Sequence, residues 1–209
     1  AFHLAGLGVK RVVLVERRHL AAGASGKSGS LVRMHYTNEH ESRLAHESLK
    51  VFHDWKNRVG GDCGFERIGY LKLVARGHAE RLARNVAVQQ KIGINTRVVT
   101  PEEVREILPG SVLEDVGAAA YEADSGYADP NATTYSLAEA ARRQGAEIIT
   151  HCEATRIVTE RGKVVAVETA AGRIETPAVV LVPGAWAAPL LEPLGLAYPL
   201  SPFRIQVSI

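Results

Sequence analysis

The chain has 209 residues, 46% of them hydrophobic and 23% charged, and its 25 Lys and Arg against 23 Asp and Glu leave a formal charge of +2. That length and apolar content can bury a sizeable core, as one large domain or two small ones. The basic residues are scattered rather than gathered on one face, which argues against a nucleic-acid partner, and no apolar run of about 18 residues offers a membrane span.

The two cysteines, Cys63 and Cys152, match no metal spacing and imply no disulfide framework, so a reduced, cytoplasmic chain is the expectation. The histidines show no ligand pattern either. His46 and His53 share a helical face but have no third partner, and no metal site is expected.

Taken in order, residues 1–8 (AFHLAGLG) lack the charged start and apolar centre of a signal peptide and read as the end of a helix with a glycine stop. Residues 10–16 (KRVVLVE) form a continuous β-branched run of the kind found in parallel sheets covered on both faces. Together they make the second half of a βαβ unit, so we expect the first half, with its glycine turn, to be missing from a truncated chain. Residues 21–30 (AAGASGKSGS) make a loop of small residues. Helical spacing follows over 39–58, a strand over 65–74 (FERIGYLKLV), a helix over 78–92 and a short strand over 96–99. Thr100-Pro101-Glu102-Glu103 is a helix start, with an N-cap, a proline in the first turn and acids behind it.

A strand over 116–121 precedes Asp129-Pro130, which opens a helix running to Gln144 with Gly145 as its stop. Strands are expected over 146–150, 154–160, 163–169 and 173–175, with a hairpin at Glu160-Arg161-Gly162-Lys163. A buried strand over 177–182 should end at Pro183-Gly184-Ala185-Trp186, and a proline-rich connection should lead to a last strand over 203–209. This order suggests two interleaved units. Residues 1–38 and 129–195 would form an α/β nucleotide-binding unit, and 39–128 with 196–209 a substrate-facing α+β unit with an antiparallel or mixed sheet.

Glu16 carries the first chemical signal, because an acid closing the second strand of a βαβ unit can accept hydrogen bonds from ribose hydroxyls. In the loop that follows, glycines allow close backbone approach, while serine hydroxyls, consecutive amides and Lys27 suit phosphate oxygens. It is not a P-loop. Directly after it come Arg33, Met34, His35 and Tyr36. Arg33 is suited to a carboxylate or another anion, and His35 to base chemistry near neutral pH. Trp55, Tyr70, Tyr121 and Tyr127 read as ordinary aromatic packing.

Three segments carry a family resemblance. The run VVLVERRHLAAGASGKSGSLVR resembles the ribose-binding acid and flavin-contacting loop of the FAD-dependent oxidoreductases of the D-amino-acid oxidase, sarcosine oxidase and glycine oxidase superfamily. Gly126-Tyr127-Ala128-Asp129-Pro130 is similar to that family's entry to the helix before the second half of the nucleotide-binding sheet. Ala178-Val179-Val180-Leu181-Val182-Pro183-Gly184-Ala185-Trp186 is similar to the segment whose glycine turn passes the FAD, with Pro183 removing a backbone donor.

The resemblance implies a Rossmann-like FAD-binding sheet lacking its first strand. In it Glu16 would bind the adenosine ribose, with Arg17 at the adenine. Ser25, Lys27, Ser28 and Gly29 would line the pyrophosphate and flavin, Ala154 would meet adenine through its backbone, and Gly184 and Trp186 would sit near the ribityl chain. It implies oxidation of a small amine or amino acid by hydride transfer to flavin, with Arg33, His35 and Tyr36 on the substrate side and O2 or an electron-transfer partner as acceptor. Two alternatives stay open: an inactive fragment or split subunit of such a flavoprotein, and a nicotinamide-dependent dehydrogenase. The latter predicts an unbroken βαβαβ run after Glu16, whereas this chain leaves the sheet and returns.

Overall fold

In the computed structural model, which describes residues 1–197, 199 and 201–203, α1 (Phe2–Gly6) and β1 (Val13–Val15) lead into a 3₁₀ turn at Ser25–Lys27 and β2 (Leu31–Val32). Then come α2 (Glu39–His53), α3 (Trp55–Arg58), β3 (Tyr70–Ala75), α4 (Ala79–Ile92), β4 (Thr96–Val99), α5 (Pro101–Ile107), β5 (Val116–Glu122) and β6 (Gly126–Tyr127). The rest runs α6 (Pro130–Arg143), β7 (Glu147–Ile149), β8 (Ala154–Glu160), β9 (Lys163–Thr169), β10 (Gly172–Glu175) and α7 (Ala188–Leu191).

The chain divides into two compact units, Ala1–Gly29 with Thr134–Ile209, and Ser30–Thr133. Their boundaries differ from those expected. Residues 30–38 belong to the second unit because Leu31 and Val32 pair antiparallel with Tyr127 and Gly126, and Met34 is buried with Leu49 and Ile94. Residues 129–133 also fall in the second unit, and the described residues beyond 195 in the first.

In the first unit β1 and β7 pair in parallel, with Val13 opposite Glu147 and Val15 opposite Ile149. Neither is the fully covered strand that residues 10–16 suggested, since Val13 is exposed and its two neighbours are half-buried. β8, β9 and β10 form an antiparallel meander. Its first turn places Arg161 at φ 52° and Gly162 at φ 76°, the left-handed pair a two-residue type I′ hairpin needs.

The buried strand expected over 177–182 does not form. This stretch has no strand assignment, and Val180 and Val182 are 67% and 81% exposed. A β-branched run becomes a strand only where a neighbour supplies hydrogen bonds to its backbone, and no described strand pairs with it. The strand expected over 203–209 lies, past Phe203, outside the described residues.

The second unit is built on the antiparallel order β3-β5-β4. The alternation of β5 puts Ala118 and Ala120 on the face covered by Leu82 and Val86 of α4. Ala119 faces the other way, into a core with Val99, Val104 and Leu113. Small residues on both faces of the central strand let helices approach closely.

β3 starts at Tyr70 rather than at residue 65, because Gly69 sits at φ +80° and breaks the extended run. The helix expected over 39–58 is interrupted at Asp54, whose non-helical backbone separates α2 from α3. α5 opens on a full capping box: the Glu103 amide donates to Thr100 Oγ1 at 3.3 Å, and the Thr100 amide donates to Glu103 Oε2 at 2.8 Å. Thr100→Ala is therefore expected to lower the stability of the second unit by about 1 kcal/mol, read as a shift in its urea midpoint.

Candidate functional site

Each unit gathers its own set of polar groups. In the first, Glu16 follows β1. Its amide donates to Ile149 O at 2.9 Å and its carbonyl accepts from the Cys152 amide at 2.9 Å, so the backbone here is fixed by the strand opposite. The half-buried carboxylate is turned back by the Arg18 amide, which donates to Oε1 at 2.8 Å. Arg17 pairs with Glu153 at 3.7 Å and lies over the Trp186 ring, 5.1 Å from its centroid. Glu153 immediately precedes Ala154, the first residue of β8. Glu16, Arg17, Trp186 and the chain leading into Ala154 thus surround one strand end.

The glycine-rich loop contains the 3₁₀ turn Ser25–Lys27. Its amides are not all free to bind an anion: Lys27 N donates to Ala24 O at 3.2 Å and Ser28 N to Ser25 O at 3.3 Å. Both bonds are long for N–H···O. Gly26 is required by the turn itself, since a Cβ there would lie 2.1 Å from Ala21 O. Gly23 would meet nothing within 4 Å, and nor would Gly29. The Ser25, Lys27 and Ser28 side chains are exposed. Gly184 takes φ +58° at the start of a second 3₁₀ turn, where the Trp186 amide donates to Pro183 O at 3.2 Å.

In the second unit, residues 33–36 follow β2 and run beside the end of β5. Arg33 is half-buried, with its guanidinium 4.6 Å from the Tyr36 ring centroid and 5.6 Å from that of Tyr70. Such cation–π contacts restrict the guanidinium while leaving several of its N–H groups available. One of those, on Nη1, donates to His35 O. Gln89 Nε2 donates to Tyr36 O at 3.1 Å, as does Asn85 Nδ2 at 3.0 Å.

His35, suited by sequence to base chemistry, is 6% exposed. Burial, with the positive charges of Lys72 and Arg33 behind it, lowers its pKa from 6.5 to about 4. The ring is therefore neutral at physiological pH.

Glu122, at the end of β5, is the residue that sequence reasoning missed. Its carboxyl is 0% exposed and accepts from the Met34 amide at 2.9 Å and Ser125 Oγ at 2.8 Å. Burial pushes its pKa up, while those two donors and the Arg33 charge oppose the rise. A signal was present: Glu122 continues the alternation of Ala118 and Ala120, so period 2 assigns it to the helix-covered face.

Among the described residues no group of three or more His, Cys, Asp or Glu is placed to hold a metal ion, and no helix is long and apolar enough to cross a membrane.

A family model described as FAD dependent oxidoreductase (DAO) matches residues 1–209. The chain is 29% identical over 206 residues to the mitochondrial sarcosine dehydrogenase of Homo sapiens, covering 95% of this chain and 22% of that protein. It is 26% identical over 216 residues to sarcosine oxidase subunit beta of Arthrobacter sp, covering 100% of this chain and 53% of the relative. Among solved structures, L-proline dehydrogenase from P. horikoshii matches with a TM-score of 0.86 at 28% identity, over 93% of this chain and 52% of that one. The chain therefore spans between about a fifth and about half of the length of these relatives. The match is to an FAD family, which sets aside the nicotinamide-dependent alternative. The fold and the family match over residues 1–209 together establish that the chain belongs to the DAO family of FAD-dependent oxidoreductases.

Proposed function

We propose that this chain is the flavin-holding and substrate-recognising part of an oxidoreductase that oxidises the C–N bond of a small amine or amino acid, of the sarcosine, glycine or D-amino-acid type. The observation that carries the reading is Glu16. Its carboxylate closes a strand in parallel pairing, is oriented through Oε1 by the Arg18 amide, and keeps acceptor capacity for a pair of vicinal hydroxyls.

The other groups of this unit fit FAD. Open space over Gly23 and Gly29 allows close approach to the backbone, and the exposed Ser25, Lys27 and Ser28 side chains suit pyrophosphate oxygens. On this reading Glu16 and Arg17 would hold the adenosine, and the Ser25–Gly29 loop the pyrophosphate and flavin. The Ala154 backbone would meet adenine, and Gly184 and Trp186 the ribityl chain, within a Rossmann-like sheet.

The chemistry a bound flavin supplies is acceptance of a hydride equivalent from the carbon beside the amine. The protein's share is orientation. Arg33 binds a substrate carboxylate through the donors left free by its contact with His35 O, and the Tyr36 and Tyr70 rings restrict where that guanidinium can lie. His35, buried and neutral, holds this segment rather than taking a proton from substrate. The acceptor is O2 or an electron-transfer partner, and peroxide release during turnover distinguishes them. Free, buried Cys63 and Cys152 fit a reducing, cytoplasmic setting.

The test is anaerobic mixing of the FAD-loaded protein with sarcosine, glycine and D-alanine in turn. At least one should bleach the visible flavin band, and a band unchanged by all three, with other small secondary amines equally inert, would overturn the reading. Glu16→Gln should weaken FAD binding by about 1–3 kcal/mol, the cost of unmaking a charged hydrogen bond; an unchanged affinity in fluorescence titration contradicts the ribose role.

A further inference from the structure

Two buried polar atoms without a hydrogen-bond partner face each other in the second unit: Glu122 Oε1 and His35 Nδ1, 3.8 Å apart. That separation exceeds a hydrogen bond, but a side-chain shift of less than about 1 Å closes it. Which atom carries the proton is decided on the other side of the ring. There Asn85 Nδ2 lies 3.2 Å from His35 Nε2 and 3.0 Å from Tyr36 O.

A carbonyl oxygen only accepts, so the Asn85 atom facing Tyr36 O must be the amide nitrogen; the flipped amide would set oxygen against oxygen. Its two N–H groups are then both committed, one to Tyr36 O and one to His35 Nε2. Nε2 accepts and carries no proton. The proton of the neutral ring is therefore on Nδ1, aimed at Glu122 Oε1. A protonated Glu122 donating to Nδ1 would require N–H at Nε2, which the Asn85 amide excludes.

We infer that Glu122 and Asn85 are a pair of positioning residues that lock His35 in the Nδ1–H tautomer and so fix the 33–36 segment from which Arg33 and Tyr36 project. Glu122 holds that segment through the Met34 amide and faces the His35 ring at 3.8 Å, while Asn85 holds it at the ring and at Tyr36 O. Arg33 is tied to the same segment through His35 O. A second ring proton is opposed by the Asn85 N–H at Nε2, by burial, and by the Lys72 and Arg33 charges. Glu122 is the acidic group that faces the ring. The consequence for substrate rests on the reading of Arg33 as the carboxylate-binding group; the tautomer lock does not.

The experiment is ¹⁵N NMR of the protein labelled at histidine and arginine. At neutral pH the wild type should show His35 with a proton-bearing Nδ1 and a bare Nε2. Glu122→Gln keeps the size and keeps an acceptor for the Met34 amide, but it turns N–H toward Nδ1. The ring should then invert or mix its tautomers, and binding of propionate, followed by the shift of the Arg33 Nε–H resonance, should weaken about tenfold. Asn85→Ala, on the half-buried side of α4, should also mix the tautomers and serves if the Glu122 variant does not fold. A wild-type ring with its proton on Nε2, or a tautomer unmoved in both variants, overturns the inference. Propionate affinity unchanged in Glu122→Gln, with the tautomer inverted, overturns the link to Arg33. Propionate binding that survives Arg33→Lys unchanged counts instead against the carboxylate reading, and the tautomer result still decides the lock.

Discussion

Replacing Gly126 by alanine is expected to destabilise the second unit by about 3 kcal/mol or more, the upper end of what overpacking a rigid site costs. A Cβ at this position would lie 1.9 Å from Glu66 O, 2.9 Å from Glu66 C and 3.1 Å from Arg67 Cα. All three are backbone atoms, so no side-chain rotation relieves the clash. The backbone is also held on both sides. Glu66 and Tyr127 exchange hydrogen bonds at 2.8 and 3.1 Å, the Ala128 amide donates to Ser30 O at 3.1 Å, and the Asp129 amide donates to Cys63 O at 2.8 Å. Relief by movement of residue 126 would loosen β6 from β2, and with it the start of the 33–36 segment. Gly23→Ala, where the new methyl meets nothing within 4 Å, is the control, expected to change stability by less than about 0.5 kcal/mol. Equal urea midpoints for the two variants would contradict the packing described.

The second large effect is on acid stability. Above pH 6.5 the His35 ring is neutral in the folded and unfolded chain alike, and it contributes no pH dependence. Between 6.5 and about 4 the unfolded chain binds a proton that the folded chain refuses, so stability falls as pH falls. Over about 2.5 pH units, at about 1.4 kcal/mol per unit, the drop is on the order of 3.5 kcal/mol. Glu122 has the opposite sign. Its raised pKa means the folded chain holds that proton more tightly, so its contribution is present in acid and is lost as pH rises through the folded value. It offsets part of the His35 effect at the acid end. His35→Gln, which offers neutral groups to both Glu122 and Asn85, should flatten the stability profile between about pH 6.5 and 4. Parallel profiles for the two proteins, measured by urea unfolding, would exclude His35 as the source.

What the sequence made legible follows from how local the cause is. The capping box at Thr100 and Glu103, the hairpin at residues 160–163 and the glycine stop after α6 depend on contacts within a few residues, and all are found. The GYADP run read correctly as a helix entry, with Asp129 Oδ1 accepting from the Asn131 and Ala132 amides at 2.8 Å each. The reason for its glycine was hidden, because Glu66 O comes from sixty residues earlier in the chain.

Residues 177–182 failed as a strand for the same kind of reason. Their composition satisfies the local requirement, but the backbone partner is a matter of topology. The candidate site divides likewise. The place of Glu16 at a strand end was legible because that strand is local, whereas Glu122 meets Met34 across 88 positions. Within a Tyr-Glu-Ala-Asp-Ser run it reads as a solvated acid unless the alternation of β5 is followed one residue further.

The proposed function requires that the first unit of this chain hold FAD through Glu16 and the loop behind it. Titrating the purified, flavin-free protein into FAD while following flavin fluorescence tests it most directly. Saturable binding of one FAD per chain, a yellow protein after gel filtration, and weaker binding by Glu16→Gln are expected. A colourless protein that leaves FAD fluorescence unchanged would contradict it.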